Sequence, residues 1–156
     1  MTNQEQIEAF YTAFAAGDAD GMVEHYHDDI IFSDPAFGIL KGERAKAMWH
    51  MLVERAGGKN KVTYSDVRAS GKTGGARWTA KYVYGPKKRP VTNEVTASFI
   101  FKDGKIIEHH DDFNLHTWAK QALGVPGLLM GWTGFMRKKV QKTTNRLLDA
   151  YLKKSK

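Results

Sequence analysis

The 156-residue sequence contains no cysteine, which excludes disulfides, zinc fingers, thiol catalysis and iron–sulfur clusters. It has no internal repeat, no low-complexity segment and no linker. No basic segment followed by an apolar one stands at its N-terminus, so the sequence predicts no signal peptide and a cytoplasmic location. Its 42% hydrophobic and 26% charged residues are typical of one soluble globular domain.

Motifs for phosphate binding and for nucleophilic catalysis are also missing. The sequence has no dinucleotide fingerprint and no nucleophile elbow. Its glycine-rich stretch at 71–75 lacks the spacing of a phosphate-binding loop and is predicted to be a hairpin turn. We therefore expect chemistry that needs no cofactor.

The net charge of +7 is confined to the C-terminal end of the chain. Residues 137–156 hold eight Lys or Arg and one Asp, whereas residues 1–136 hold 16 residues of each sign. A basic protein often binds nucleic acid. This basic segment, however, lacks a helix-turn-helix partner and a sheet of stacking aromatics, so we expect no specific nucleic-acid binding.

Hydrophobic spacing predicts helices in the first third of the chain. Apolar residues recur every three or four positions over 3–16 and again over 42–56, and Asp18 is expected to cap a short helix between them. The apolar segment 30–34 is predicted to be a strand, because the following Pro35 favours extended geometry before it.

From residue 61 onward the hydrophobic period changes to two. Short turns separate the runs, which implies an antiparallel meander. Helices followed by strands indicate an α+β fold, with helices covering one face of a curved antiparallel sheet. Residues 1–124 would form this domain, and residues 125–156 a helical extension of it. The predicted strands are 61–69, 76–85, 91–102 and 105–113.

Two aspartates are the leading candidates for catalysis. Alternation places Asp34 on an apolar strand end and puts Asp111 on the same face as Ile107 and His109. A carboxylate that faces an apolar cavity has a raised pKa, and a second carboxylate nearby raises one of the two further. Such a pair suits general acid and base chemistry near neutral pH, with His109 orienting Asp111.

A structural interpretation of the same residues stays open. Asp34 would then form only an Asx turn before Pro35, and Asp111 would cap a helix or pair with a surface base. We expect no metal. Adjacent strand residues point to opposite faces, so only His109 and Asp111 of the HHDD segment could share an ion, and a third ligand would have to come from elsewhere, such as His25 or His27.

Aromatic side chains on the inward faces would give the interior an apolar lining. An aromatic stripe is often only core packing, but two inward acids make it typical of a pocket for a small apolar or aromatic ligand. Tyr26 would add a hydroxyl donor. The expected ligand-binding residues are Tyr26, Phe10, Phe14, Phe32, Trp78, Tyr82, Ala97, Phe99 and Phe113.

The C-terminal segment 127–154 is predicted to be one amphipathic basic helix. We favour docking of its apolar stripe over the cavity mouth or a dimer seam; binding to an anionic membrane surface is the less favoured alternative. The uncharged stretch 121–136 is too short, and too broken by Pro126, to span a bilayer. The stripe consists of Leu128, Trp132, Met136, Val140, Leu147 and Tyr151.

The segments AAGDADGMVEHYHDDIIFSDP and GKIIEHHDDFNL, in this order of helices and strands, resemble the nuclear transport factor 2-like superfamily. Within it, the chain is most similar to the SnoaL-like and ketosteroid-isomerase-like bacterial branch. The resemblance covers about residues 4–123. It implies a conical α+β barrel around an apolar pocket, and a homodimer packed through the sheet.

The resemblance also implies roles for single residues. Asp34 matches the general base of ketosteroid isomerases, whereas their two oxyanion donors fall on Phe10 and Ala97. Neither of these side chains can donate a hydrogen bond to an oxyanion, which argues against steroid isomerisation by that mechanism.

Limonene epoxide hydrolases are similar to the chain at its last strand. Their catalytic aspartate there matches Asp111, but their arginine and second aspartate fall on Trp78 and Ala80.

Two functions follow from these partial matches. One is an acid–base enzyme of isomerase, cyclase or hydratase type that uses Asp34 and Asp111, and the other is a ligand-binding module without catalysis.

Overall fold

The computed structural model describes residues 1–154 and confirms the α+β class. Its six strands form one curved, unclosed sheet in the order β2-β1-β6-β5-β4-β3. The strands are β1 Tyr26–Asp34, β2 Gly38–Lys41, β3 Lys61–Ser70, β4 Thr73–Tyr84, β5 Arg89–Lys102 and β6 Lys105–Asp112. The helices are α1 Asn3–Ala15, α2 Ala19–Val23, α3 Glu43–Ala56, α4 Leu115–Leu123, α5 Val125–Met130 and α6 Gly134–Lys154.

The first helix begins at a capping box. The Thr2 hydroxyl accepts a hydrogen bond from the backbone N–H of Glu5, and the Glu5 carboxylate accepts one from the N–H of Thr2. The apolar face of α1 is buried against the sheet, as its spacing predicts. Asp18 accepts a hydrogen bond from the N–H of Gly21 and caps α2, also as predicted.

The four predicted strands after residue 61 are present, and the structure adds two further features of the sheet. The strand predicted at 30–34 begins earlier, at Tyr26, and the short β2 completes a hairpin with it. β1 and β6 are parallel, so the sheet is not purely antiparallel as expected. The predicted turn at 71–75 is shorter, because its last two glycines belong to β4.

An irregularity in the β5–β6 pairing changes one predicted inward residue. Ile100 pairs with Glu108 and Phe101 pairs with Ile106, so Ile107 is the extra residue of a bulge. Ile106 is consequently the buried isoleucine, and the prediction that Ile107 faces inward with His109 and Asp111 is wrong.

The prediction of one C-terminal helix over 127–154 is also wrong. The chain forms α5 and α6 with a break at residues 131–133. A Cβ atom at Gly127 would overlap the Ala119 carbonyl, so the glycine allows α5 to lie directly on α4. The predicted stripe is divided as a result. Met136 and Val140 are buried, with Leu148 in place of Leu147, whereas Leu128 and Trp132 are exposed.

Buried apolar residues form two clusters. The larger one lies between α1, α3 and the sheet, and the smaller one joins α4 and the start of α6 to β5. Ala36, Tyr82 and Phe113 pack against both clusters, so they mark the boundary between the body and the C-terminal helices. Within residues 1–154, no helix is both long and apolar enough to cross a membrane.

Candidate functional site

Asp34 and Asp111 lie next to each other on neighbouring strands. Ser33 pairs with His110 in the parallel register of β1 and β6, and the next residue along each strand is one of the two aspartates. Paired residues of parallel strands point to the same face, and neighbouring strands are about 4.8 Å apart. The structure therefore brings both carboxylates to one side of the sheet.

The two oxygens of Asp34 have different surroundings. Oδ1 accepts hydrogen bonds from the backbone N–H groups of Ala36 at 2.9 Å and Phe37 at 2.6 Å, which is the turn that the structural interpretation expects. Oδ2 accepts no hydrogen bond from any residue of the described chain. Asp34 thus forms the turn with one oxygen and keeps the other available.

Burial raises the pKa of Asp34 from its ordinary value of 3.8 to about 7. The negative charge of Asp111 raises this pKa further, while the turn hydrogen bonds from Phe37 and Ala36 lower it. Near neutral pH the carboxylate and the carboxylic acid are therefore both populated, which is the condition that favours proton transfer by this group.

Asp111 is held by two buried side chains. Its Oδ1 accepts hydrogen bonds from Trp78 Nε1 at 3.3 Å and from His109 Nε2 at 2.9 Å. The His109 side chain is completely buried, and that of Asp111 is only 2% exposed. Asp111 therefore pairs with no surface base, and the arrangement agrees with the interpretation that His109 orients it.

A chain of hydrogen bonds continues from His109 to α3. Trp49 Nε1 can only donate, so Tyr26 Oη accepts its hydrogen bond at 2.8 Å. Tyr26 Oη lies 2.6 Å from His109 Nδ1. When it donates its own proton to Nδ1, it forms a hydrogen bond with each of its two neighbours, Trp49 and His109. The imidazole proton is then on Nε2 and is donated to Asp111. Burial keeps the pKa of Tyr26 well above its ordinary value, so its hydroxyl retains the proton that it donates.

Sequence reasoning did not single out Tyr11 or Trp49 as site residues. Tyr11 Oη is buried and has no hydrogen-bond partner within residues 1–154. Burial, with the charge of Asp111 nearby, raises the pKa of Tyr11 well above its ordinary value, so the hydroxyl remains a neutral donor. Helical spacing identified Tyr11 as a core residue, but no sequence signal shows that its hydroxyl lacks a partner.

Four of the eight predicted ligand-binding aromatics, including Tyr26, pack around the His109 ring. Phe10, Phe32 and Phe99 have ring centroids 5.5, 5.2 and 4.5 Å from that of His109. Phe14 packs on Trp49 and Trp78 instead. In the structure these side chains contact one another, as core aromatics do.

The other predicted site residues lie closer to the carboxylates or to the C-terminal helices. Ala97 pairs with Asp111 across β5 and β6. Tyr82 Oη accepts a hydrogen bond from Trp118 Nε1 at 2.8 Å, and Phe113 packs against the same boundary between the two clusters. Ala97 thus lies beside Asp111, whereas Tyr82 and Phe113 lie at the boundary with the C-terminal helices.

The predicted apolar pocket stays a prediction. Two surface hollows of about 350 and 310 Å³ lie around the N-terminus of α1, and neither is lined by a predicted ligand-binding residue. His25, one of the two histidines considered as a third metal ligand, lines the first hollow and contacts Gln6 Oε1 through Nδ1 at 3.1 Å. Residues 1–154 contain no group of three or more His, Asp or Glu side chains placed to hold a metal ion.

Helix α6 packs directly on the turn that carries Asp34. Three of its side chains donate hydrogen bonds to the carbonyls of the consecutive residues 35, 36 and 37, over distances of 2.7 to 3.1 Å. Arg44 on α3 adds an ion pair with Asp149 at 2.7 Å. The inward stripe of α6 thus docks on the body beside Asp34. The three donors are Gln141, Thr144 and Asn145.

Comparison with known proteins gives one family. The sequence profile of the SnoaL-like domain matches residues 7–109. No curated protein sequence matches the chain. Many solved structures are similar to it, at low sequence identity.

Three of these structures illustrate the likeness. The structure of TerC co-crystallized with polyporic acid has a TM-score of 0.63 and 19% identity, and the match covers 75% of this chain and 95% of that one. A protein described as a candidate polyketide cyclase from Pseudomonas putida has a TM-score of 0.63, 22% identity and coverages of 78% and 98%. An epoxide hydrolase of the LEH-like type from M. tuberculosis has a TM-score of 0.60, 25% identity and coverages of 80% and 92%.

Proposed function

The chain belongs to the SnoaL-like domain family, and from that premise we propose that it is a cofactor-independent acid–base enzyme acting on a small apolar substrate. Asp34 is the proton-transfer group. The observation that carries this proposal is a half-buried carboxyl with a pKa of about 7, whose Oδ2 accepts no hydrogen bond from the described residues. A carboxyl that served the turn alone would need neither property.

The reaction class is a proton transfer such as isomerisation, cyclisation or hydration. Asp34 Oδ2 takes a proton from a carbon next to a carbonyl group, and the C–H electron pair moves into the substrate as an enolate. The same oxygen returns the proton to a different atom, so no oxidant or reductant is consumed. Similar structures described as a candidate polyketide cyclase and as an epoxide hydrolase support this class.

The Tyr11 hydroxyl is the hydrogen-bond donor to the substrate oxygen in this proposal. Relatives with a complete isomerase site place donors at the positions of Phe10 and Ala97, which have none here. Tyr11 follows Phe10 on α1, is neutral, and has no partner within the described residues. An unpartnered buried hydroxyl costs about 1–3 kcal/mol, a cost that a bound carbonyl oxygen would relieve.

Asp111 and His109 act on Asp34 as positioning residues. The negative charge of Asp111 raises the pKa of Asp34, and the hydrogen bond from His109 Nε2 holds the Asp111 carboxylate in place. Tyr26 and Trp49 in turn hold the imidazole ring of His109 in its orientation. None of these four side chains has to touch the substrate for this role.

Deuterium uptake tests the proposal without knowledge of the natural substrate. Small apolar ketones are incubated with the protein in D₂O, and exchange at the carbon next to the carbonyl is followed by NMR. We expect exchange that increases as the pH rises through about 7 and falls by at least about 100-fold in Asp34→Asn. The matched control Asp29→Asn changes an exposed aspartate of the same strand.

Two results would contradict the assignment of Asp34. One is equal exchange by the wild type and Asp34→Asn. The other is a titration midpoint near the ordinary 3.8, instead of about 7, for the Asp34 carboxyl carbon in a ¹³C NMR titration. The second measurement needs no ligand, so it decides the protonation argument even if none of the ketones is turned over.

A non-catalytic ligand-binding module is the second candidate function. Phe10 and Ala97 favour it, because both isomerase donor positions hold side chains that cannot stabilise an oxyanion. A binding module predicts that thermal stabilisation by an apolar ligand persists in Asp34→Asn and in Asp111→Asn. Loss of that stabilisation in Asp34→Asn alone would favour the acid–base site.

A homodimer packed through the sheet remains part of the proposal for either function. Sedimentation velocity on the full chain measures it directly. A monomer at micromolar concentration would contradict it.

A further inference from the structure

We propose that the C-terminal helices dock the protein on an anionic membrane surface. This inference rests on two exposed features that the fold leaves side by side, and it does not depend on the proposed function. The first feature, the apolar patch, consists of Val125, Leu128, Leu129, Met130, Trp132 and Phe135. The second, the basic face of α6, consists of Lys139, Lys142, Arg146 and Lys153.

The apolar patch is exposed although it contains some of the largest apolar side chains of the chain. Its six members are between 42% and 73% exposed, and they fall within residues 125–135. That segment contains no charged residue. Six large apolar side chains concentrated in so short a stretch are typical of an interaction site rather than of an ordinary surface.

The patch is held rigidly rather than carried on a loose tail. Gly127 sits directly on the Ala119 carbonyl of α4, and His116 Nε2 lies 2.9 Å from the carbonyl oxygen of Leu128 and donates a hydrogen bond to it. Trp132 Nε1 donates to the carbonyl of Leu129 at 3.1 Å. The backbone of the patch and the Trp132 ring therefore need little ordering when the patch binds, which favours affinity.

The basic face points in the same direction as the end of the patch. Phe135 is followed by the four basic residues at spacings of four, three, four and seven, which keeps all five side chains on one side of the helix. All five are exposed, opposite the stripe that packs on the body. The row spans about 27 Å, at 1.5 Å per residue. Phe135 and the cations can therefore contact one plane together.

The charges on this face are available for an external partner. None of its four cations forms an ion pair with any residue described by the structure. Asp149 is the single acidic residue after position 125, and it pairs with Arg44 on α3. Apolar side chains next to unpaired cations match a membrane interface that offers acyl chains beneath anionic headgroups. A second copy of the chain on this surface would place its own basic face next to that of the first copy, and the like charges would repel each other.

Co-sedimentation of the full chain with vesicles tests the inference at 0.15 M salt. We expect binding to vesicles of phosphatidylcholine with 30% phosphatidylglycerol, and much weaker binding to phosphatidylcholine alone. The double variant Lys139→Gln/Lys142→Gln should weaken binding by about 30-fold, since each cation near such a surface is worth about 1 kcal/mol. The control Lys59→Gln/Lys61→Gln removes two exposed lysines elsewhere and should leave binding unchanged.

A second pair of variants tests the apolar patch. Trp132→Ser/Phe135→Ser should weaken binding at least about tenfold, because two exposed aromatic rings lose their burial in lipid. Ile100→Ser changes an exposed apolar residue on β5 and serves as the control. Trp132 is 73% exposed, whereas the other three tryptophans are at most 9% exposed. Brominated lipids should therefore quench the Trp132 signal selectively.

Three results would overturn the inference. The wild type could fail to sediment with the anionic vesicles, or the control variants could lose as much binding as the test variants. The third is a wild-type dimer that Trp132→Ser/Phe135→Ser converts to a monomer without any vesicle binding. In that case the apolar patch would be an interface between copies of this chain.

Discussion

The raised pKa of Asp34 predicts how the stability of the protein depends on pH. In the unfolded chain this carboxyl has its ordinary pKa of 3.8, and in the folded protein its pKa is about 7. Between these values the folded protein binds more protons than the unfolded chain. Stability therefore falls as pH rises from about 4 to about 7, and the loss is complete above the folded pKa.

The difference between the two pKa values sets the size of this effect. One pH unit corresponds to about 1.4 kcal/mol, so Asp34 lowers the free energy of unfolding by roughly 4 kcal/mol at pH 8 relative to pH 4. Asp34→Asn removes the ionisation. It keeps an Oδ1 that can accept the turn hydrogen bonds from Ala36 and Phe37.

Urea unfolding of the wild type and Asp34→Asn, followed by tryptophan fluorescence, measures this effect. The variant should gain stability over the wild type by roughly 4 kcal/mol more at pH 8 than at pH 4. Asp29→Asn on the same strand should follow the wild type at both pH values, because its carboxylate is exposed. If the wild type and Asp34→Asn change in parallel with pH, the reasoning about burial and the Asp111 charge is wrong.

Two further predictions concern the buried network and the docking of α6. Tyr26→Phe should lower the free energy of unfolding by about 1–3 kcal/mol, because the Trp49 and His109 ring nitrogens both lose their partner; an unchanged urea midpoint would contradict the network. Leu148→Ala should cost about 2–5 kcal/mol, while the adjacent Leu147→Ala, which is 39% exposed, should cost no more than about 0.5. Equal losses would show that α6 is docked differently.

Local patterns in the sequence were sufficient for most of the fold. The period of three to four residues located α1 and α3, and the period of two located all four strands after residue 61, within three residues at each end. These elements are amphipathic, so each one bears its own signal. β2 and α4 were not predicted. Both are short, and α4 follows β6 so closely that its apolar residues were not distinguished from those of the C-terminal segment.

The C-terminal segment shows where a local pattern misleads. Leu128, Trp132 and Met136 have the spacing of one helical stripe, yet only Met136 is buried. Gly127 packs directly on the Ala119 carbonyl of α4, and α5 and α6 are separated by a break at residues 131–133. That contact joins two separate helices, and spacing along one helix contains no information about it.

For the candidate site, the sequence by itself placed Asp34, His109 and Asp111 on the inward face, although the same alternation wrongly placed Ile107 there because it does not show the bulge. Strand alternation is a local property, so Asp34, His109 and Asp111 could be assigned to the apolar side from their neighbours. The tertiary structure alone decided that the two aspartates are adjacent, because β1 and β6 are far apart in sequence and their parallel register depends on the whole sheet. It also decided the hydrogen-bond partners of the site, and it leaves the Tyr11 hydroxyl without a partner within residues 1–154. Both depend on side chains from several elements meeting in three dimensions, which no local pattern encodes.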